Sequence, residues 1–316
     1  MSFFHENPSV GRLAAGMAGI LGLFPSVALC AGFGEASPFN VFVFENMTES
    51  NVDSEGRVAV GWNAFLTNFG VGSAFQSNPP SAGNTLVVGG DLSYSGGEVH
   101  YGNVVYGGSL TGSVSAPNGT VTQGAGVVDF VATRDSLTDH SAYWSGLAPT
   151  GSTGYNYGGV TLVGTNPDLN IFDLSGSYLN SAWGVTIDAP LGSTVLVNID
   201  GVTNDFDNLG INFTDTNGDG TGITDKQHVL FNFYEATSLS ISGISVKGSI
   251  LAPGAAISFG NGNVEGNLIA RSLTGSGEAH NFLFSGSLPE MAVPEPSVLA
   301  LAGASLALAG MRRRRI

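Results

Sequence analysis

The sequence is poor in charge, poorer still in bases, and almost without cysteine. Charged residues make up 11% of the chain, against roughly a quarter in an ordinary soluble domain. Ten Lys and Arg face 25 Asp and Glu, leaving a net charge of −15, and Arg312, Arg313, Arg314 and Arg315 supply much of that small basic complement in one C-terminal block. Recognition of phosphates needs clustered Lys and Arg, so nucleic acid and anionic membrane surfaces are excluded as partners of the main body. The single cysteine, Cys30, lies in an apolar run near the N-terminus, which rules out a disulfide framework in a mature exported domain. His100, His140, His228 and His280 occur singly, without the HExxH or i,i+4 spacing of a zinc site. No serine sits in a GxSxG elbow, and no glycine loop with a following Lys opens a helix to cradle phosphate.

What the chain has in abundance is glycine, 47 of 316 residues, together with 42% apolar residues that argue for a core rather than disorder. The glycines recur in a phrase. Val246-Lys247-Gly248-Ser249-Ile250 is echoed 18 residues later by Val264-Glu265-Gly266-Asn267-Leu268, and Val88-Gly89-Gly90-Asp91-Leu92 is echoed at the same interval by Tyr106-Gly107-Gly108-Ser109-Leu110. That period is too short for a helical hairpin repeat but fits one turn of a β-solenoid, in which short strands meet at tight corners. The expected fold is therefore mainly β: a β-solenoid (right-handed β-helix) forming one large domain, with one long α-helix packed alongside.

The helix is expected over Val127–Leu147, where Val127, Phe130, Arg134, Leu137, Ser141 and Trp144 recur at spacings of three and four as a stripe to lie along the solenoid. Asp129 favours its N-terminus, and Gly146 and Pro149 stop it. Phe39–Phe44 is apolar on both alternating faces, as suits a strand buried on two sides or one capping a solenoid end. Trp183–Ile187 and Thr194–Ile199 are the clearest strands of the second half.

Both ends read as processing segments. Residues 1–31 have a positive residue, Arg12, an apolar run over Leu13–Leu29 and small residues at the exit, the pattern of a secretory signal cleaved after Cys30 or Ala31. The main domain then spans residues 32–290. Residues 291–316 contain Pro294-Glu295-Pro296, a short apolar stretch over Val298–Met311 and the Arg312–Arg315 block. This order resembles the PEP-CTERM sorting signal of Gram-negative bacteria, which implies processing by an exosortase, a transient inner-membrane anchor, and an export destination at the cell surface or extracellular matrix. Within the domain, FNFYEATSLSISG, GSILAPGAAISF and GNVEGNLIARSLTGSGEAHNFLF in Val229–Phe284, with Phe39–Phe44 and Asp53–Gly61 near the start, resemble the choice-of-anchor A family. The resemblance implies an adhesin-like β-helical module.

Few residues point to chemistry. Asp215, Asn217 and Asp219 stand at positions one, three and five of a DxNxDG stretch with Gly220 at six, the front half of a calcium loop; Lys226 replaces the bidentate Glu expected at position twelve, so a plain turn is the competing reading. Asp200, Asp205 and Asp207 offer a carboxylate pair of the kind that cleaves glycosidic bonds, on spacing alone. Thr237-Ser238-Leu239-Ser240-Ile241-Ser242 alternates hydroxyl residues, as on an ice-binding face, but no Thr-x-Thr recurs at the rung interval. The reading that follows is a non-enzymatic adhesin associated with exopolysaccharide or biofilm, binding through broad uncharged sheet faces. A polysaccharide-cleaving solenoid enzyme and an ice-binding protein are the alternatives.

Overall fold

In the computed structural model, residues 29–77, 83–214 and 225–291 are described. A 19-stranded sheet, parallel at every strand pairing, curls around one apolar core, and a separate 4-stranded sheet extends one of its sides. The cross-section is a triangular coil whose sides are called faces A, B and C. The expected β-solenoid with a helix alongside is the observed architecture.

Register shows how the rungs stack. On face A one inward column runs Val104, Leu86, Val58, Val41, Leu268, Ile250, Phe231, Val197 and Phe172, each beside the next across a parallel pair. All of these belong to the main core cluster. Each such side chain withdrawn from water contributes about 1.5–3 kcal/mol, so the stack is held chiefly by this continuous apolar column.

The column also fixes the chain path. Val41 pairs with Val58 on one side and with Leu268 on the other, so Phe39–Val43 lies in the middle of the stack. It does not cap an end. The N-terminal half winds outward from this seam to Val121–Gln123; the chain then crosses over as a helix and starts again at the far end, near Ser152–Leu174, winding back until Leu268–Gly275 and Glu278–His280 dock against the first rung. The apolar residues on both sides of Phe39–Val43 follow from this position. Val41 and Val43 enter the core, while Phe42 faces outward under the helix, its ring 5.2 Å from that of Phe130.

The helix, α1, covers Phe130–Ser145 along face A, with Asp129 as N-cap, its Oδ1 accepting from Ala132 N at 3.0 Å. Its buried residues are Thr133, Leu137, Ser141 and Trp144. The expected stripe is thus right at Phe130, Leu137, Ser141 and Trp144 and wrong at Val127 and Arg134. Val127 precedes the helix and is exposed, and Arg134 is exposed with its guanidinium 3.8 Å from Glu45. Polar groups fix where α1 sits. Ser141 Oγ donates to Asn232 Oδ1 (2.6 Å), Asn232 Nδ2 donates to Ser141 O and to Asn198 Oδ1 (2.9 Å each), Asn198 Nδ2 donates to Trp144 O (3.0 Å), and Trp144 Nε1 donates to Pro289 O (2.8 Å). A helix laid on an apolar sheet could slide by a turn; these bonds allow one placement.

The repeated glycines sit at corners, as expected, but the two pairs occupy different corners. Gly89 and Gly107 lie between faces A and B, and a Cβ on Gly107 would collide with the Gly89 carbonyl. Gly248 and Gly266 lie between faces C and A, and a Cβ on Gly266 would meet the Gly248 carbonyl at 2.5 Å. Close stacking of one rung's backbone on the next is what each position requires.

Candidate functional site

The three faces differ in what they show to solvent. Face A is covered: Phe42, Ala59, Val87, Leu251 and Ile269 are buried with Leu137 and Trp144 of α1 and with Phe284 and Leu288. Face C is charged. Glu98 pairs with His100 (3.1 Å), Glu278 with His280 (3.4 Å), and Glu265 with Lys226 (2.5 Å), whose ammonium also sits 3.3 Å from the centroid of Phe282. Face B is neither covered nor charged over most of its length.

On face B the alternation of short strands sends Leu239, Ile257, Leu273, Met47, Leu66 and Tyr94 inward and small polar residues outward. One outward column reads Asp205, Ser240, Ser258, Thr274, Thr48, Phe65, Ser93 and Thr111 in successive parallel pairs. Beside it stand Ser50, Thr67 and Ser95 in a second aligned row. Parallel strands lie about 4.8 Å apart, so the hydroxyls form a regular array on a stiff backing. The array crosses the seam: Thr274 and Thr48 are neighbours although one ends the chain's second half and the other begins its first. Phe65, 48% exposed, is the bulky interruption, and Trp62, 52% exposed, flanks the face at the corner with face A. There Trp62 borders an open groove of about 560 Å³ floored by Gly61 and Gly89 and bounded by Phe130, Val131 and Arg134 of α1.

Hydrogen bonding holds the corner that orients this face. Asn63 N donates to Asn46 Oδ1 (3.1 Å), Asp91 N to Asn63 Oδ1 (2.8 Å), and Ser109 N and Oγ to Asp91 Oδ1 (2.7 and 2.9 Å). The two bonds from Ser109, the backbone one foremost, hold the Asp91 carboxyl below the ordinary carboxylate range. Behind the hydroxyl column one residue breaks the pattern. Glu49 alternates with Thr48 and Ser50 and therefore points inward; it is 1% exposed, and neither carboxyl oxygen has a hydrogen-bond partner. Burial pushes its pKa from 4.5 up to about 8. It shares a cavity of about 10 Å³, room for about one water, with Met47, Phe69, Phe259 and Leu273 at the seam.

The residues singled out from the sequence fall in several places. Asp215, Asn217 and Asp219, Pro294, Glu295 and Pro296, and Arg312, Arg313, Arg314 and Arg315 all lie outside the described residues. Asp200 Oδ1 accepts from Gly176 N (2.7 Å) and Ser175 Oγ (3.2 Å) and thereby fastens the short helix α2, Gly176–Leu179. Asp205 and Asp207 point outward from the last strand of face B, where Asp207 Oδ2 accepts from Ser240 Oγ (2.8 Å). The three carboxylates are therefore not gathered around one cleft. The alternating hydroxyls of Ser238–Ser242 are part of the face B array, so that stretch did carry a legible signal. Phe65 and Trp62 were missed: a single aromatic in a strand, such as Phe65, reads as core, and Trp62 falls at a corner between strands, where alternation assigns it no face.

Comparison with known proteins bears on this arrangement. The family model described as "Putative Ice-binding-like adhesive domain" matches residues 32–281, most of the chain. The chain belongs to this ice-binding-like adhesive domain family. Among solved structures it is similar to an ice binding protein from an Antarctic biological consortium, at 18% identity and TM-score 0.37, covering 85% of this chain and 97% of that one. It is similar also to the ice-binding protein LeIBP from Arctic yeast, at 11% identity and TM-score 0.38, covering 84% and 96%. A third is the ice-binding protein of the Antarctic ascomycete Antarctomyces psychrotrophicus, at 14% identity and TM-score 0.36, covering 82% and 98%. No curated protein matches the chain. The domain is thus of an adhesive, ice-binding-like kind, in a family described by binding rather than by catalysis.

Proposed function

We propose that the protein is an exported adhesin whose face B binds a neutral, hydroxyl-rich polysaccharide surface, the exopolysaccharide of its own biofilm being the expected ligand. The observation that carries this reading is the charge-free hydroxyl array from Ser240 to Thr111 with Phe65 in its midst and Trp62 at its border, in a chain of net charge −15. Hydroxyls at regular intervals exchange hydrogen bonds with sugar hydroxyls at little reorganisation, because their strands are fixed by the core. Exposed aromatic rings stack on the C–H faces of sugars. The choice-of-anchor A resemblance supports the same adhesive role. The Pro294-Glu295-Pro296 segment with its arginine block supports sorting by an exosortase in a Gram-negative bacterium.

A second reading, ice binding, is favoured by the even spacing of Ser258, Thr274 and Thr48. Against it, Phe65 projects a ring between Thr48 and Ser93 where a lattice match needs a flat row. Co-sedimentation of residues 32–292 with the producing organism's exopolysaccharide, with polymer length followed in the same tubes and thermal hysteresis measured on the same protein, separates the readings. Binding at constant polymer length without a freezing-point gap is expected. A freezing-point gap without polymer binding would transfer face B to ice, and shortened polymer would make the protein an enzyme.

A further inference from the structure

A second group of exposed aromatics lies at the end of the solenoid where the C-terminal half begins. The hairpin joining Ser152–Asn156 to Gly159–Val163 turns through Tyr157 and Gly158, with φ of 47° and 84°. Two left-handed residues in a two-residue turn are normally Asn or Asp followed by Gly. A bulky residue is strained there, and Tyr157 gains no burial in exchange, being 98% exposed. The backbone is held in an unfavourable region to stand an aromatic ring in solvent, and such strain marks functional positions.

Trp183 stands next to it and is fixed. Its backbone N donates to Gly158 O (2.9 Å) and its Nε1 to Tyr157 O (2.9 Å). The ring rests on bare backbone: a Cβ on Gly158 would lie 2.7 Å from its Cδ1, and one on Gly159 3.0 Å from its Cζ2. Its underside is thus filled and its orientation set, yet the residue is 66% exposed. Alternation places Thr161 on the same outward side, aligned with Thr186 and Asn212 across neighbouring strands. Tyr155 and Tyr178 stack nearby, ring centroids 4.4 Å apart and 2° from parallel. Asn180, which follows α2, accepts from Asp205 N at 2.8 Å, so this corner continues the end of face B.

We infer that Trp183, with Tyr157 beside it, is a stacking platform for a pyranose unit of a neutral, gluco-configured, β-linked glycan. An uncharged, pre-oriented indole on an acidic protein suits a neutral ligand. Equatorial hydroxyls leave such a sugar with an axial C–H face that fits the electron-rich face of the ring, and Thr161 supplies a hydroxyl at its edge. A ring already fixed loses little freedom on binding. The inference shares with the adhesin reading only the supposition of a glycan ligand; it makes no use of the face B array.

The test is a titration of ¹⁵N-labelled protein with cellohexaose, following the three indole N–H signals, of Trp62, Trp144 and Trp183. The Trp183 signal moves saturably, with a Kd on the order of 1 mM, while those of Trp144 and Trp62 stay. Trp183→Ala weakens binding about tenfold or more, as loss of an aromatic stack should. Tyr157→Gly weakens it by a smaller factor while raising the melting temperature, because glycine is at home in the left-handed region; a ring with only a structural role would not separate those two readouts. A Trp183 signal unmoved by cellohexaose, or movement of Trp62 instead, overturns the proposal. Response to cellohexaose in a protein that ignores exopolysaccharide would sink the face B reading and leave this one standing, and the reverse result would sink this one alone.

Discussion

Glu49 makes stability depend on pH in a direction opposite to that of most carboxylates. Its pKa rises from 4.5 to about 8 because burial disfavours the charged form. Between those values the folded protein retains a proton that the unfolded chain releases, so folding takes up a proton and stability falls as pH rises. The contribution is intact below the unfolded pKa and fully lost above the folded one. At about 1.36 kcal/mol per pH unit, the interval corresponds to on the order of 5 kcal/mol, a large part of a typical folding free energy. Glu49→Gln keeps the shape and removes the ionisation. Parent and variant should therefore unfold at similar urea concentrations near pH 4.5, with the variant increasingly the more stable up to pH 8 and the gap constant beyond. Urea titrations at a series of pH values measure this, and other titrating groups cancel in the difference. A gap that does not vary with pH would show that Glu49 is solvated or paired, and would refute the placement of its carboxyl, without a hydrogen-bond partner, in the buried seam.

Other consequences follow from particular contacts. Asn232→Ala removes bonds to Ser141 and Asn198 beneath α1 and should lower stability by about 2–3 kcal/mol, seen as a fall in melting temperature and faster hydrogen exchange in α1. Gly266→Ala drives a methyl group against the Gly248 carbonyl and should cost about 3 kcal/mol or abolish soluble expression, whereas Gly192→Ala, in open space though at φ 81°, should cost only about 1 kcal/mol. Phe65→Thr completes the hydroxyl column; stability should change by less than about 0.5 kcal/mol, while polysaccharide binding weakens roughly fivefold through loss of the ring. Stronger binding in that variant would mean that the flat row, and not the aromatic, does the recognition.

How far the fold was legible depended on how local its causes are. Thr194–Ile199 is a strand with the bounds its β-branched run suggests, and the rung interval around Gly248 and Gly266 declared the solenoid, because both signals lie within one turn of the coil. The seam was not legible. The pairing of Val41 with Leu268 joins distant parts of the chain, and nothing in Phe39–Phe44 beyond its two apolar sides distinguishes a central rung from a terminal one. The α1 stripe misled at Val127 because the spacing rule ran past the cap at Asp129, which starts the helix later, and at Arg134 because the residue facing the sheet is Thr133, three positions after Phe130 rather than four. For the site, the hydroxyls of Ser238–Ser242 were visible in sequence, but the row that extends them through Thr274 to Thr48 exists only once the halves dock. The sequence pattern makes Trp183 the first residue of a strand; in the fold it falls just before Gly184–Asp188, and its exposure comes from the glycine turn it covers.

The central claim is that face B, and neither of the other faces, holds the polysaccharide. The most direct measurement compares co-sedimentation with exopolysaccharide for the parent, for Thr48→Lys with Thr274→Lys on face B, and for Glu98→Lys with Glu278→Lys on face C. Both pairs place lysines at exposed or half-buried positions on adjacent rungs or nearby ones; the face C pair shifts the net charge by +4 and the face B pair by only +2, so a loss confined to the face B pair cannot come from net charge. Loss of binding in the face B pair, with the face C pair binding like the parent, is the predicted result. Equal binding by all three, or loss confined to the face C pair, would contradict the account.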